Sequence, residues 1–317
     1  MRSPLQGGLP PSGAVVGAVV EIACDESGFS GTNLLNSTEP VITHASVDLS
    51  RAEAVELIAR FGLSPHEMKS GQFLRRPGAG EMVDRFLAAL RDRSHVHVID
   101  KEFFLVTRIV DLLLAEPTYA AGTRLTQHQR PPAVALHRAG RKAGHDWDDF
   151  LSAFVALVRR KRRGPAQENL ERFFRARDAL ARHAPDDAVL TALDPARVRT
   201  VLARLDDDDR SIPPPLEPML PALAETILHW AAGHRQVLVF HDEQSALTAD
   251  RLTRLGQALP GRPLAGLVMV DSRDDPRVQV ADLLAGVARR SMTQEDLEEG
   301  DAGGHGRQGQ TAQEGTG

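Results

Sequence analysis

Short apolar runs separated by polar turns alternate with longer amphipathic stretches, a pattern that predicts strands and helices in one α/β fold. Residues 15–24 form an apolar run rich in Val, interrupted by Gly17 and Glu21 and followed by Ser27 and Gly28. This is typical of a buried strand that ends in a turn. Further strands are predicted at residues 41–47, 95–100, 236–242 and 264–270. A polar loop joins the first two, which we expect to pair antiparallel.

Helices are predicted by apolar residues at helical spacing. Ser50 is a plausible N-cap for a helix over residues 51–61, with Glu53 as its capping-box partner and Gly62 as its end. Later helices are predicted at residues 80–91 and 278–290.

The predicted elements divide the chain into an α/β core in two parts, 14–104 and 234–292, around an all-helical insertion at 105–233. The pattern between the two parts is helical and shows no convincing strand. Residues 1–13 and 293–317 are rich in Gly and polar residues, so we expect both ends to be disordered.

Composition narrows the functional classes. A net charge of -5 over 317 residues is mild, so a polyanion contact would need a local basic patch. The single cysteine, Cys24, excludes an internal disulfide and favours the cytoplasm. Residues 13–20 lack the flanks of a secretion signal, and no apolar stretch is long enough for a membrane span. An aromatic content of 4% offers no platform for stacking bases.

Acidic residues recur where the predicted strands end. Three predicted strands end in Asp25, Asp100 and Asp242, and Asp282 lies in an otherwise apolar helix. Ligands bind beyond the carboxyl ends of strands in α/β sheets, and clustered carboxylates are costly to ionise unless a cation neutralises them. Oxygen ligands suit Mg²⁺, and two such ions can activate a water in phosphodiester hydrolysis. No Cys or His spacing indicates zinc.

Each of these positions also has a structural interpretation. An Asp after a strand is often a turn former or N-cap, and Asp282 can simply face solvent. His44 and His241 are more typical of strand ends or surfaces than of metal ligands. The residues alone do not decide between the structural and the functional interpretation.

Several motifs, in order, resemble a bacterial domain-of-unknown-function family, number 3800, which is grouped with the ribonuclease H-like superfamily. They are Asp25-Glu26-Ser27-Gly28, Glu67-Met68-Lys69, Ile99-Asp100-Lys101, Asp242-Glu243-Gln244-Ser245, and Asp271-Ser272 followed by residues 278–286. The resemblance covers roughly residues 18–104 and 234–290. It implies a ribonuclease H-like mixed sheet flanked by helices, with acids that bind two Mg²⁺ or Mn²⁺ ions.

The resemblance implies catalytic metal ligands from the first strand, a following helix, a later strand and the terminal helix. The matching positions are Asp25, Glu67 and Asp282, with either Asp100 or Asp242 as the later-strand acid. Chain order favours Asp100, because it follows the antiparallel strands and the first helices, where the superfamily places its fourth strand.

Supporting roles are expected around these acids. Lys69 and Lys101 contact phosphate or pair with carboxylates, Gln279 orients a ligand or water, and Glu26 adjoins Asp25. The basic run Arg159, Arg160, Lys161, Arg162 and Arg163 could follow a phosphate backbone, although such runs are often solvated faces.

These features together predict a cytoplasmic, metal-dependent nuclease with nucleic acid as its partner. Two alternatives remain. The chain could be a non-catalytic interaction protein on the same scaffold, or a phosphoesterase that acts on a small nucleotide.

Overall fold

The computed structural model describes residues 5–13, 15, 17–29, 34–36, 38–62, 73–75, 78–159 and 165–301, with backbone alone for 293–301. Helices flank both faces of a five-stranded sheet. The strands are β1 (Val19–Ser27), β2 (Val41–Val47), β3 (Ser94–Asp100), β4 (Gln236–Asp242) and β5 (Leu264–Val270). The helices are α1 (Arg51–Arg60), α2 (Ala79–Ala89), α3 (Lys101–Leu113), α4 (Arg130–Gly140), α5 (His145–Val158), α6 (Ala166–Ala181), α7 (Ala188–Ala192), α8 (Pro195–Asp206), α9 (Met219–Ala231), α10 (Ala249–Ala258) and α11 (Pro276–Asp301).

The strand order is β3-β2-β1-β4-β5. β2 is antiparallel to both β1 and β3, whereas β4 is parallel to β1 and β5 is parallel to β4. The predicted antiparallel pair and the mixed α/β sheet are therefore confirmed. One consequence of this topology matters for the site: β1, β3, β4 and β5 all end at the same edge of the sheet, called here the carboxyl edge.

Two apolar clusters lie between the sheet and the helices on its two faces. One contains buried side chains of α1, α2 and α11 against one face of the sheet. The other, larger cluster packs α3, α9, α10 and the remaining helical segment against the opposite face. Because strand side chains alternate between faces, each strand residue can be assigned to the α11 face or the α9 face.

The strand and helix predictions are close to the observed elements. The bounds of β2, β4 and β5 match, and Ser50 caps α1 with the predicted reciprocal bond to Glu53. The first strand begins and ends later than predicted. It runs on to Ser27 because Asp25, Glu26 and Ser27 pair with β2, and so Asp25 lies within the strand.

Gly28 terminates β1. Its φ of +91° is unfavourable for residues with a side chain, and an added Cβ would lie 2.5 Å from the Val41 carbonyl oxygen. The turn predicted after Ser27 therefore requires glycine.

Between β3 and β4, the part of the chain that the structure describes forms helices and no strand. Helix α3 begins directly after β3, at Lys101. Among the described residues, no helix is both long and apolar enough to cross a bilayer.

The N-terminal residues pack against β5. The amide of Gly8 donates to the Leu247 carbonyl at 2.8 Å, and Leu9 forms an antiparallel bridge with Leu267. These contacts lie in the stretch 1–13, for which disorder is predicted, and they are backbone pairings of residues that have little apolar surface of their own. Helix α11 extends to Asp301, into the stretch 293–317 for which disorder is also predicted.

Candidate functional site

Asp25 lies on the α11 face of β1. Ala23, two residues earlier, belongs to the apolar cluster that includes Val278 and Val280 of α11, and residues two apart share a face. The Asp25 side chain is only 7% exposed. Its Oδ1 accepts a hydrogen bond from the Glu26 amide at 2.7 Å. An acid that could have been a solvated turn residue is therefore buried.

Asp242 and Asp282 approach Asp25 from two other elements. Asp242 ends β4 on the same face as Phe240, which packs against the α11 cluster. Its Oδ1 accepts from the Ser272 amide at 3.1 Å. Asp282 lies on α11 and interacts electrostatically with Asp25, as does Asp242. Buried Asp25 and the half-buried Asp242 and Asp282 thus place carboxylates from β1, β4 and α11 in one region at the carboxyl edge.

The electrostatics of this region disfavour negative charge. Burial raises the pKa of Asp25 well above its usual range, and the charges of Glu26, Asp282 and Asp242 raise it further. The hydrogen bond from the Glu26 amide opposes this increase. A bound cation would relieve the repulsion and restore the ionised form.

Gln279 supports the site from the preceding turn of α11. It is 6% exposed, and its Nε2 donates to the Ser272 carbonyl at 2.7 Å. Ser272 in turn holds Asp242, so Gln279 fixes the loop that positions this carboxylate. The Gln279 Oε1 is buried and has no hydrogen-bond partner among the described residues.

The chemistry of these side chains fits a hard divalent cation. Carboxylate and amide oxygens are ligands of Mg²⁺ and Mn²⁺, and the unpartnered Gln279 Oε1 provides one more oxygen. Among the residues that the structure describes, however, no three His, Cys, Asp or Glu side chains are grouped closely enough to hold one ion. Metal binding would therefore require these side chains to move closer together.

Asp100 does not join the other acids. Its side chain caps α3 by accepting from the Phe103 amide at 2.7 Å, and the residue is exposed. It ends β3, which β2 separates from β1. Chain order pointed to Asp100, but the acid beside Asp25 at the end of the fourth strand is Asp242.

Two residues predicted to support the site, Glu26 and Lys101, have their side-chain partners elsewhere. Glu26 lies on the α9 face, where its Oε1 accepts from Gln244 at 2.7 Å and burial raises its pKa to about 7. Lys101 is 3% exposed, and burial lowers its pKa. Its charged neighbours are Glu39 and Arg289 rather than the aspartates.

Several predicted residues lie outside the part of the chain that the structure describes. They are Glu67, Lys69, Arg160, Lys161, Arg162 and Arg163. Arg159 is described and caps the C-terminal end of α5.

The α9 face carries a buried polar network that the sequence did not predict. His44 Nδ1 lies 2.9 Å from Thr226 Oγ1, and its Nε2 lies 3.1 Å from His241 Nε2. Trp230 Nε1 donates to Ser46 Oγ at 2.8 Å. Both histidines are fully buried, contrary to the expectation of strand ends or surfaces. The sequence does contain a signal for this burial. Each histidine lies two residues after an apolar residue of a predicted strand, Ile42 or Val239, and so shares a face with it.

A scan of protein-family models found no match to this chain, and searches of curated proteins and of solved structures found none either. The family resemblance therefore stays a prediction.

Proposed function

We propose that this chain is a divalent-metal-dependent nuclease that hydrolyses phosphodiester bonds. The observation that carries this proposal is the burial of Asp25 beside Asp242 and Asp282 at the carboxyl edge. Burying like charges together costs stability, so an arrangement of this kind favours a functional over a structural role.

The sheet topology supports a ribonuclease H-like core. The resemblance implies acids on the first strand, on a later strand and on the terminal helix, and Asp25, Asp242 and Asp282 occupy such elements. Glu67 is the proposed additional ligand. The helices between β3 and β4 would then be an insertion into that core.

Mg²⁺ or Mn²⁺, bound by these carboxylates, would activate a water and stabilise the leaving oxygen of the phosphodiester. The protein's own contribution is positional. Asp25 and Asp242 lie on adjacent parallel strands, and the Ser272 amide orients the Asp242 carboxylate. Gln279 holds Ser272 and presents its Oε1 to a ligand or water.

The test is cleavage of labelled DNA, RNA and hybrid substrates during Mg²⁺ and Mn²⁺ titration, with calorimetry of metal binding in parallel. Asp25→Asn and Asp282→Asn should each reduce cleavage by about 100-fold or more, because each removes a charged metal ligand. Asp100→Asn is the matched control. Asn is as good an N-cap as Asp, so α3 should remain intact and cleavage unchanged.

The outcomes separate the candidate functions. Cleavage that survives Asp25→Asn and Asp282→Asn would exclude this site. Metal-dependent hydrolysis restricted to small nucleotides would instead identify a phosphoesterase. Absence of both cleavage and metal binding would favour the non-catalytic interaction protein.

A further inference from the structure

A second charged region lies on the helical segment, away from the carboxylates. Residues 117–145 contain no Asp or Glu but five Arg or Lys, in a chain whose acids outnumber its bases by 43 to 38. The five are Arg124, Arg130, Arg138, Arg141 and Lys142. This stretch includes all of α4.

Some of these cations are neutralised by acids elsewhere in the fold. Arg124 Nε lies 2.7 Å from Glu225 Oε2, and Arg141 Nε lies 3.9 Å from Glu102 Oε1. In the described part of the chain, Arg130 and Arg138 have no ion pair with any acid. Both are exposed, so their positive charge is available to a ligand.

Arg130 and Arg138 line the same groove. It has a volume of about 600 Å³ and is lined by Gln127, Arg130, Pro131, Val134, Ala135 and Arg138. An eight-residue separation places the two arginines on one side of α4, about 12 Å apart along its axis. Two cations at this spacing suit an extended chain of negative charges better than a single small anion. The groove lining contains no aromatic residue, which disfavours recognition through stacked bases.

Helix α4, which carries the groove, contacts a helix that begins at the carboxyl edge. His137 Nε2, on α4, lies 2.9 Å from Oε1 of Glu102, which is in the first turn of α3. That turn directly follows β3, which ends at the carboxyl edge. The distance from β3 to β1 across β2 is about 10 Å at the usual strand spacing.

We propose that the groove along α4 binds the phosphate backbone of nucleic acid through Arg130 and Arg138. Guanidinium groups bind phosphate in a planar, bidentate geometry, and each phosphate neutralised releases counterions. The surface contacts the backbone and not the bases, so binding is independent of sequence. Guidance of this strand to Asp25 rests on the proposed function, whereas binding itself does not.

The test is fluorescence anisotropy of the full chain with labelled single-stranded DNA, single-stranded RNA and duplex DNA. EDTA is present, so cleavage plays no part in the signal. The double variant Arg130→Gln, Arg138→Gln should bind single strands about tenfold more weakly. The slope of log K against the logarithm of the salt concentration should be less steep by about 0.7 for each phosphate no longer contacted.

The matched control is Arg172→Gln, Arg175→Gln on α6. These arginines are also exposed, and the pair of substitutions makes the same change in net charge, but Glu168, Glu171 and Asp178 lie on the same helix. The control should bind nucleic acid like the wild type. Circular dichroism of both variants checks that the helices are intact.

Three results would overturn the proposal. They are no binding of any nucleic acid by the wild type, an equal loss in both double variants, and displacement of nucleic acid by polyglutamate of matched charge. The last result would identify an acidic peptide as the ligand. Binding is measured in EDTA and on residues remote from the carboxylates, so failure of the proposed catalytic site leaves this result unaffected and distinguishable.

Discussion

On the α9 face of the sheet, buried polar side chains form hydrogen bonds with one another, whereas on the α11 face the buried Asp25 is repelled by the half-buried carboxylates of Asp242 and Asp282. His44 is satisfied by Thr226 and His241, and burial lowers its pKa well below the usual range, which keeps the ring neutral. Asp25 lies on β1, the strand paired with that of His44, and burial together with the charges of acidic neighbours raises its pKa.

The difference distinguishes two reasons for burying polar groups. Neutral groups that satisfy each other's hydrogen bonds help to specify how α9 packs on the sheet. Like charges grouped around a buried acid reduce stability, and the proposed metal site would account for their presence. If this comparison is correct, removing a group from the α9 face should destabilise the protein, whereas removing charge from the α11 face should stabilise it.

The largest expected effect is on the α9 face. His44→Ala should reduce the free energy of unfolding by about 3 kcal/mol, because it leaves a cavity and removes the partner of buried Thr226 and His241. Urea unfolding measures the change.

The control for this substitution is Thr43→Val, on the opposite face of the same strand. This substitution removes one hydrogen bond, which Thr43 Oγ1 donates to the Ala285 carbonyl. It should lower the free energy of unfolding by only about 1 kcal/mol. Equal costs for the two variants would mean that the histidine network contributes no more than a single bond.

A smaller effect should depend on pH. Burial and neighbouring His229 lower the pKa of His95 to about 3, from the usual 6.5. Below pH 6.5 the unfolded chain binds a proton that the folded chain does not, so stability is lost as the pH falls. Relative to His95→Gln, the wild type should lose about 1.3 kcal/mol in free energy of unfolding between pH 7.5 and 5.5. A constant difference between the two proteins over this range would contradict a neutral, buried His95.

The smallest effect has the opposite sign. Because the pKa of Asp25 is raised, the folded chain holds this proton more tightly than the unfolded chain, and stability falls as the pH rises above about 3.8. Without metal at pH 7.5, Asp25→Asn should therefore raise the Tm by a few degrees. The gain should disappear near pH 3. Mg²⁺ should raise the Tm of the wild type but not of the variant. A lower Tm for metal-free Asp25→Asn at pH 7.5 would place the aspartate in a structural role.

The sequence predicts most of the sheet because its strands are short apolar runs with clear ends. Val41–Val47 and Leu264–Val270 match their predicted bounds, and Ser50 caps α1 as expected. The pattern of acids also selects Asp25 and Asp282, which interact electrostatically in the structure. Such features depend on residues near one another in the chain.

Long-range contacts account for the errors. Asp100 and Asp242 both end strands, and only the strand order β3-β2-β1-β4-β5 places Asp242 next to Asp25. His44 is buried because α9, remote in the sequence, covers it. The pairing of Leu9 with Leu267 has no local signal in a stretch rich in Gly and Pro.

The sheet topology also determines the order in which the fold can form during synthesis. β1 is the central strand, yet its parallel partner β4 follows the whole helical segment, and Val19 pairs with Gln236. At typical translation rates, on the order of 10 to 40 s separate the synthesis of these two residues. Until then the nascent β1, β2 and β3 leave the edge of β1 that later pairs with β4 exposed. β5 is synthesised after the other four strands, and only then can Leu9 pair with Leu267.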